Sequence, residues 1–312
     1  MMDHIGCFGR YMEAERRCSE ATVDIYTRDL RAFEAYVRES GGAVDEQTGW
    51  LEPRMVGVGD VRGWVMRDVE AGVATGSVNR RISTLRSFFR YLMREGVVDR
   101  NPVHDIKALR SGRRLPAFVD RSRMERLTEA LEYPSEEYPL ERDAMVVLLL
   151  YGCGLRRSEL TSLTLQSLDL AERTLRVMGK GAKERVVPIL PTVATRLEHY
   201  LQVREREKIC EGAENCLFLS NKGAGLTAAG VYGIVRGYLS EVGVQGKRSP
   251  HVLRHTFATH LMQQGVSVRV VQQLLGHASL AATQIYTHNT IESLKKTYNK
   301  AHPRAALTIK EK

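Results

Sequence analysis

A short stretch of turn-forming and basic residues interrupts this chain well before its midpoint. Residues 111–116 have the sequence Ser-Gly-Arg-Arg-Leu-Pro, and Asn101-Pro102 precedes them. Such a mixture is typical of an exposed connector, because glycine and proline both disfavour continuous helix or strand. A length of 312 residues is enough for two domains of ordinary size. The sequence therefore predicts a first domain over residues 1–111, a basic linker over residues 112–118 and a second domain over residues 119–312.

Apolar residues recur at helical spacing in the first predicted domain. One such stretch follows Ser19 and stops at Gly41-Gly42, and two more cover Val61–Val69 and Val78–Leu92. Apolar residues three and four positions apart lie on the same helix face. These stretches therefore predict a small helical bundle that begins with the helix after Ser19.

The third of these helices carries arginine at every fourth position, at Arg86, Arg90 and Arg94. Their guanidinium groups share one side of the helix, where they suit either a phosphate backbone or plain solvent. The candidate DNA contacts in the chain are Arg80, Arg86, Arg90, Arg94, Arg113, Arg114 and Lys183.

The second predicted domain is mainly helical and contains one β-hairpin. Two β-prone runs, Thr174–Met178 and Arg185–Ile189, flank a glycine- and lysine-rich turn that contains Lys180. Helical spacing is found over Arg142–Tyr151 and again over Arg156–Leu165. The fold class that we expect is therefore mainly α with a small β-sheet or hairpin. Residues 132–140 include two prolines and are expected to form a surface loop.

Charge and composition limit the classes of function. The formal net charge is +9, and basic and acidic residues balance over residues 1–112, so the whole excess lies beyond them. Such an excess is typical of nucleic acid binding, although a solvated basic surface explains it as well.

Membrane insertion and secretion are not expected. The longest apolar run, Met145–Tyr151, is far shorter than the roughly 20 residues that span a bilayer. The N-terminus also lacks the apolar stretch of a signal peptide. The five cysteines include no Cys-x-x-Cys pair, so we expect no disulfide framework and a reducing, cytoplasmic location.

Histidine and arginine come together at a predicted helix start. In the run from Ser249-Pro250 to His255, proline takes the first helical position and places His251 and Arg254 on one face. Backbone N–H groups at a helix N-terminus add partial positive charge, so the pair suits an anion such as phosphate. A zinc site at His251 and His255 is not favoured, because the glutamate of the His-Glu-x-x-His motif is missing and no Cys or Asp cluster is nearby. Nor is the turn at Lys180 a nucleotide-binding loop, because glycine rather than serine or threonine follows the lysine.

Five motifs taken together resemble the tyrosine recombinase (phage integrase) family, and most closely its XerC/XerD branch. In chain order they are Gly154-Leu155-Arg156-Arg157-Ser158-Glu159-Leu160, Gly179-Lys180-Gly181-Ala182-Lys183-Glu184-Arg185, Ser249-Pro250-His251-Val252-Leu253-Arg254-His255, Leu274-Leu275-Gly276-His277 and Thr283-Gln284-Ile285-Tyr286-Thr287-His288. The resemblance covers nearly the whole chain. Arg157 departs from the family pattern, in which an apolar residue usually follows the motif arginine.

The resemblance implies a catalytic set and a domain plan. In this set Tyr286 is the nucleophile, and Arg156 and Arg254 clamp the scissile phosphate. The complete set is Arg156, Lys180, His251, Arg254, His277 and Tyr286. The resemblance also implies a helical, SAM-like core-binding domain and a catalytic domain that close around DNA as a clamp. It implies no cofactor. The partners that it implies are double-stranded DNA, a sister XerC/XerD-type recombinase in a tetramer on paired sites, and an FtsK-like DNA translocase.

The function that follows from the resemblance is site-specific recombination through a Holliday junction, with chromosome dimer resolution as the expected role. A mobile-element integrase or transposon recombinase of the same family is an alternative. A type IB topoisomerase and a DNA-binding protein without activity are more distant ones.

Overall fold

The structure, a computed structural model, describes residues 2–45, 48–110, 117–179 and 184–276. The chain divides into two compact units, Met1–Arg114 and Leu115–Lys312, and each has a hydrophobic core of its own. Both units are mainly helical, and a small antiparallel sheet belongs to the second. The expected fold class, mainly α with a small sheet, is confirmed. None of the helices in the described ranges is long and apolar enough to span a bilayer.

The first unit is a helical bundle. Its helices, within the described residues, are α1 (His4–Ala14), α2 (Glu20–Glu39), α3 (Val58–Glu70) and α4 (Thr75–Arg94). The last three are those predicted from apolar spacing. Their apolar faces meet in a core where the rings of Phe33 and Trp64 pack edge to face, with centroids 5.1 Å apart.

Helix α1 corrects the expectation that the bundle begins with the helix after Ser19. Two glycines, Gly6 and Gly9, lie within its 11 residues and weaken the helix signal of the sequence. The helix is stabilised instead by tertiary contacts and by a cap. Phe8 packs edge to face on Phe88 of α4, with centroids 5.5 Å apart. The Asp3 carboxylate accepts a hydrogen bond from the Gly6 backbone N–H at 3.0 Å.

The segment after α4 packs back along that helix. The Asn79 side chain donates to the Leu109 carbonyl at 2.9 Å and accepts from the Leu109 N–H at 2.7 Å. Arg86 donates to the Ile106 carbonyl at 2.6 Å. Since Val103 and Ile106 are also buried in the first core, this segment belongs to the helical unit.

The second unit is built around one buried helix. Its helices, in the part of the chain that the structure describes, are α5 (Arg121–Ala130), α6 (Tyr138–Gly152), α7 (Arg157–Thr161), α8 (Pro191–Glu205), α9 (Ala228–Glu241), α10 (Pro250–Gln263) and α11 (Val268–Leu275). Most residues of α6 are buried, and the helix packs against α8, α9 and α10. Helix α6 is therefore the centre of the second core.

Within the described ranges, the sheet contains three antiparallel strands in sequential order. These are β1 (Leu168–Asp169), β2 (Thr174–Met178) and β3 (Glu184–Pro188). Val177 pairs with Arg185, and Met178 pairs with Glu184. Residues 179–183 therefore connect β2 to β3, and the predicted hairpin is confirmed.

Two expectations about helix limits were wrong. Tyr138 is buried and begins α6, so only residues 132–137 form the expected loop. Pro139 is accommodated in the first turn of α6, where a helix does not need the missing N–H. Helix α7 ends at Thr161 rather than Leu165, because Thr164 pairs in a β-bridge with Cys216.

Candidate active site

Arg156 lies at the start of α7, directly after a sharp turn. Gly154 in this turn has a φ of +61°, and a Cβ at this position would lie 2.5 Å from the Phe257 ring, so the turn requires glycine. The Arg156 backbone N–H donates to Glu159 Oε2 at 2.7 Å, and its Nη1 donates to Glu159 Oε1 at 2.6 Å. The Arg156 side chain still keeps 35% of its surface exposed. Arg156 is therefore both held in place and accessible to a ligand.

Arg254 approaches the same carboxylate from α10. Its Nη1 donates to the Gly154 carbonyl, and its Nη2 donates to the Leu275 carbonyl at 2.6 Å. Nη1 also lies 3.7 Å from Glu159 Oε2. Arg156 and Arg254 are distant in the sequence, yet the structure brings both to Glu159.

Glu159 and Arg185 form the centre of this cluster, and neither belongs to the predicted catalytic set. Arg185 Nη1 and Nη2 donate to the two Glu159 oxygens at 2.7 and 2.9 Å, and both side chains are buried. Each of these two residues stands at a position that is notable in the sequence itself. Glu159 stands three residues after Arg156 at a helix start, which is a capping position. Arg185 occupies an inward position of β3, where alternation favours an apolar residue.

The cluster contains more positive than negative charge. Burial alone would raise the pKa of the Glu159 carboxyl, but hydrogen bonds from Arg185 and from the Arg156 backbone hold that pKa at about 2. Burial and the neighbouring Arg156 guanidinium lower the pKa of Arg254 to about 10, so Arg254 remains protonated at pH 7. Among the ion pairs of the described residues, three guanidinium groups therefore share the Glu159 carboxylate, and this surplus of positive charge suits an anionic ligand.

His251 lies in the first turn of α10 and is exposed, three residues before Arg254 on the same helix face. His255 is half-buried. Arg157, the residue that departs from the family pattern, is exposed. Across the described parts of the chain, no three His, Cys, Asp or Glu side chains are grouped so that they could hold a metal ion.

Several predicted residues lie outside the described residues, namely Lys180, His277, Tyr286, Arg113, Arg114 and Lys183. In the sequence, Lys180 follows β2 by two residues. His277 directly follows Gly276, which ends α11 with a left-handed φ of +64°. Their roles stay predictions.

A second ionic network connects three helices of the first unit. Arg80, a candidate DNA contact on α4, pairs with the buried Asp29 of α2. Its neighbour Arg81 pairs with Asp68 of α3 at 2.5 Å and lies 3.8 Å from Asp29. Arg80 is thus held by a carboxylate while its side chain remains 39% exposed.

The row of arginines predicted along α4 is not uniform. The Arg86 guanidinium donates a hydrogen bond to the Ile106 carbonyl. Arg94 pairs with Glu15 at 3.1 Å and with Glu95 at 2.9 Å. Arg90 is exposed and contacts Ser87 Oγ at 3.3 Å. Contact between these three arginines and DNA stays a prediction. Their hydrogen-bond and ion-pair partners within the protein differ.

Comparison with protein families gives two matches along the chain. The phage integrase family matches residues 117–293, and the phage integrase N-terminal SAM-like domain matches residues 5–96. The tyrosine recombinase XerC of Alcanivorax borkumensis is 40% identical over 301 residues, which cover 96% of this chain and 94% of the relative. The tyrosine recombinase XerD of Listeria monocytogenes serotype 4b is 37% identical over 307 residues, which cover 98% of this chain and 100% of the relative.

Solved structures show the same fold. The Tn1549 transposon integrase in complex with transposon right end DNA matches with a TM-score of 0.69 and 19% identity, over 95% of this chain and 99% of that one. The XerH site-specific recombinase bound to a palindromic difH substrate matches with a TM-score of 0.67 and 22% identity, over 90% of this chain and 80% of that one.

Proposed function

Because the chain belongs to the phage integrase family of tyrosine recombinases, we propose that it is a site-specific DNA recombinase. It cuts and rejoins DNA through a 3′-phosphotyrosyl intermediate and a Holliday junction. The observation that carries the proposal is the convergence of Arg156 and Arg254 on Glu159. This convergence supports a common role for two residues that were predicted separately to bind one phosphate.

The clamp formed by Arg156 and Arg254 binds the nonbridging oxygens of the scissile phosphate. Guanidinium groups suit this role, because they donate paired hydrogen bonds to phosphate and remain charged at every physiological pH. They also offset the negative charge that grows as the nucleophile attacks phosphorus.

Tyr286 is the nucleophile in this mechanism. A tyrosine hydroxyl has an ordinary pKa of about 10, so only about one in a thousand is ionised at pH 7 and the attack requires help from neighbouring groups. His251 accepts the phenolic proton as the Tyr286 oxygen bonds to phosphorus. The bond from phosphorus to the 5′-oxygen breaks, and Lys180 protonates that oxygen. His277 donates a hydrogen bond to the phosphate.

The covalent link keeps the energy of the broken phosphodiester bond. The 5′-hydroxyl of a partner strand then attacks the phosphotyrosine and releases Tyr286, so exchange consumes no nucleotide. Two such exchanges between paired duplexes proceed through a Holliday junction.

The two units take different parts in this proposal. The first is the core-binding domain and the second is the catalytic domain, joined by the linker at residues 112–118. The working assembly is a tetramer on paired sites with a sister recombinase in the cytoplasm, and an FtsK-like translocase is a further partner. The high identity to chains named XerC and XerD favours chromosome dimer resolution over a mobile-element role.

A covalent adduct tests the chemistry. A binding duplex is selected from a randomised pool with the full-length protein, nicked near its centre and incubated with the protein. We expect a protein–DNA adduct that survives denaturation. Tyr286→Phe is expected to bind equally and to form none. Binding without any adduct from the wild type would overturn the proposal in favour of a binding protein. Relaxation of plasmids that lack the selected site would favour a topoisomerase.

Mapping of occupied sites in the host genome separates the two biological roles. A single chromosomal site supports dimer resolution. Sites at the ends of mobile DNA would support an integrase instead.

A further inference from the structure

We propose that Arg185, a residue outside the predicted catalytic set, is a positioning residue: as the counter-ion of Glu159 it leaves the positive charge of the Arg156–Arg254 clamp available to the phosphate and holds the clamp in place. The inference rests on the proposed function, because it takes DNA phosphate as the ligand of the clamp.

Arg185 balances the charge of a carboxylate that lies between the two clamp residues. Glu159 accepts hydrogen bonds from Arg156 and lies 3.7 Å from Arg254, so its carboxylate is a competitor for both clamp residues. The two-pronged contact with Arg185 balances that carboxylate within a buried pair. A phosphodiester carries one negative charge, and attack by an ionised tyrosine adds a second at the transition state. Because Arg185 balances Glu159, the positive charges of Arg156 and Arg254 are both available to offset these two negative charges of the transition state.

Arg185 also links the elements that surround the clamp. Arg185 stands in β3, contacts α7 through Glu159, and donates from Nε to the Leu274 carbonyl of α11 at 3.4 Å. A Cβ at Gly276 would lie 2.7 Å from Arg185 Cδ, so the glycine at the end of α11 leaves space for this side chain. Arg185 therefore connects the strand after the Lys180 turn with the helix before His277.

Stability does not by itself explain the buried pair of Arg185 and Glu159. A buried salt bridge is often no more stabilising than an apolar pair of similar volume. Since β3 otherwise directs Val187 into the core, an apolar residue at position 185 would satisfy the strand pattern. The ionic pair at this position is better explained by the neighbouring clamp.

The test uses single-turnover adduct formation by the full-length protein on the selected, nicked duplex. Arg185→Met removes the counter-ion and keeps an apolar side chain of similar length. We expect its adduct rate at saturating DNA to fall by about 10²-fold, because a preorganised charge is lost at the reacting phosphate. The Kd for the duplex is expected to change by less than about threefold, since many other phosphate contacts remain.

A charge-balanced double variant separates this role from a packing defect. Glu159→Gln combined with Arg185→Met removes both ions of the pair. We expect its adduct rate to be about tenfold higher than that of Arg185→Met but still below the wild type, because no unpaired carboxylate competes for the clamp while the Glu159 contact that holds Arg156 is lost. Arg185→Lys keeps the charge but cannot donate the two-pronged contact, so its rate is expected to lie between those of Arg185→Met and the wild type.

The pH dependence gives an independent measurement. Without Arg185 the pKa of the Glu159 carboxyl rises, because burial is no longer offset by that partner. Because Arg156 and Arg254 remain beside Glu159, acidification neutralises it only as the pH approaches its ordinary range, so the rate of Arg185→Met relative to wild type is expected to increase as the pH falls towards 4.5. A packing defect would give a ratio that does not change with pH.

The possible failures are distinct. A folded Arg185→Met with wild-type rate, or a double variant no faster than Arg185→Met, would overturn this inference and leave the proposed function standing. Absence of any adduct from the wild type would overturn both. If Arg185→Met does not fold, Arg185→Gln replaces it, since it keeps a donor for Glu159 and loses the charge. A folded Arg185→Gln within threefold of the Arg185→Lys rate would also refute the inference.

Discussion

Both units contain an arginine network around buried carboxylates, but the proportions of the two charges differ. In the first unit, Asp29 and Asp68 balance Arg80 and Arg81, so the network that joins α2, α3 and α4 is neutral. In the second unit, the single carboxylate of Glu159 faces three guanidinium groups. Arginine–carboxylate pairs therefore join helices in the first unit, whereas in the second unit they leave a net positive charge that a ligand can bind. The ratio of acids to bases, and not burial alone, distinguishes the two networks.

The largest effect expected from this contrast is on catalysis. Arg254→Gln removes one arm of the clamp, and we expect adduct formation to slow by about 10³-fold, as when a charge-stabilising donor is lost elsewhere. Arg81→Gln in the balanced network is expected to leave the rate at saturating DNA within about threefold, since it touches helices and not the phosphate. Single-turnover assays of both variants make the comparison. Equal losses would show that the two networks do not differ in function.

The next effect is a pH dependence of stability in the second unit. The pKa of Glu159 is about 2 in the folded protein and 4.5 in its ordinary state, so its stabilisation is present above about pH 4.5 and is lost as the pH falls towards 2. The full loss is on the order of 3 kcal/mol. Glu159→Gln lacks this contribution, so its unfolding free energy is expected to depend less on pH over that range. Urea unfolding followed by circular dichroism at several acidic pH values measures the difference.

A smaller effect on stability is expected in the balanced network. Arg81→Met leaves Asp68 without its partner, and we expect the first unit to lose about 2 kcal/mol of unfolding free energy. Both tryptophans, Trp50 and Trp64, belong to this unit. Urea unfolding followed by tryptophan fluorescence therefore reports on it selectively. A loss of stability that is seen by circular dichroism but not by tryptophan fluorescence would contradict the assignment.

The smallest effect concerns the salt dependence of DNA binding. Arg90 has no acidic partner among the ion pairs of the described residues, whereas Arg94 is already paired with Glu15 and Glu95. If the row contacts DNA, Arg90→Gln is expected to reduce the slope of log K against log salt by about 0.9, and Arg94→Gln by clearly less. Binding titrations at several salt concentrations measure both slopes. Identical changes would show that the acidic partners of Arg94 release it on binding.

The sequence was sufficient to predict α2, α3, α4, α6, α7, α10 and the hairpin, because period and turn residues are local properties, whereas α5, α8 and α9 were not predicted. It failed for α1, whose glycines hide a helix that depends on Phe8 packing on Phe88. It also failed for the end of α7, which is set by a β-bridge to Cys216 from a distant part of the chain. Contacts with residues that are distant in the sequence determine where such helices begin and end. Neither helix propensity nor apolar spacing reveals those contacts.

The candidate site shows the same division. Arg156 and Arg254 were predicted from motifs, and the structure brings them together at one carboxylate. Glu159 and Arg185 were missed as a pair, since strand alternation and capping patterns identify an unusual residue but not its partner. Only the three-dimensional structure shows that Glu159 and Arg185 form one ion pair.

The unequal charges around Glu159 also affect the protein while no DNA is bound. Arg156 and Arg254 then repel each other, and this repulsion contributes to the lowered pKa of Arg254. A small oxyanion in the buffer relieves it. Sulfate or inorganic phosphate is therefore expected to stabilise the resting protein to heat more than chloride at equal ionic strength, and to slow strand cleavage by occupying the clamp. The buffer anion is thus a variable in every rate measured with this protein.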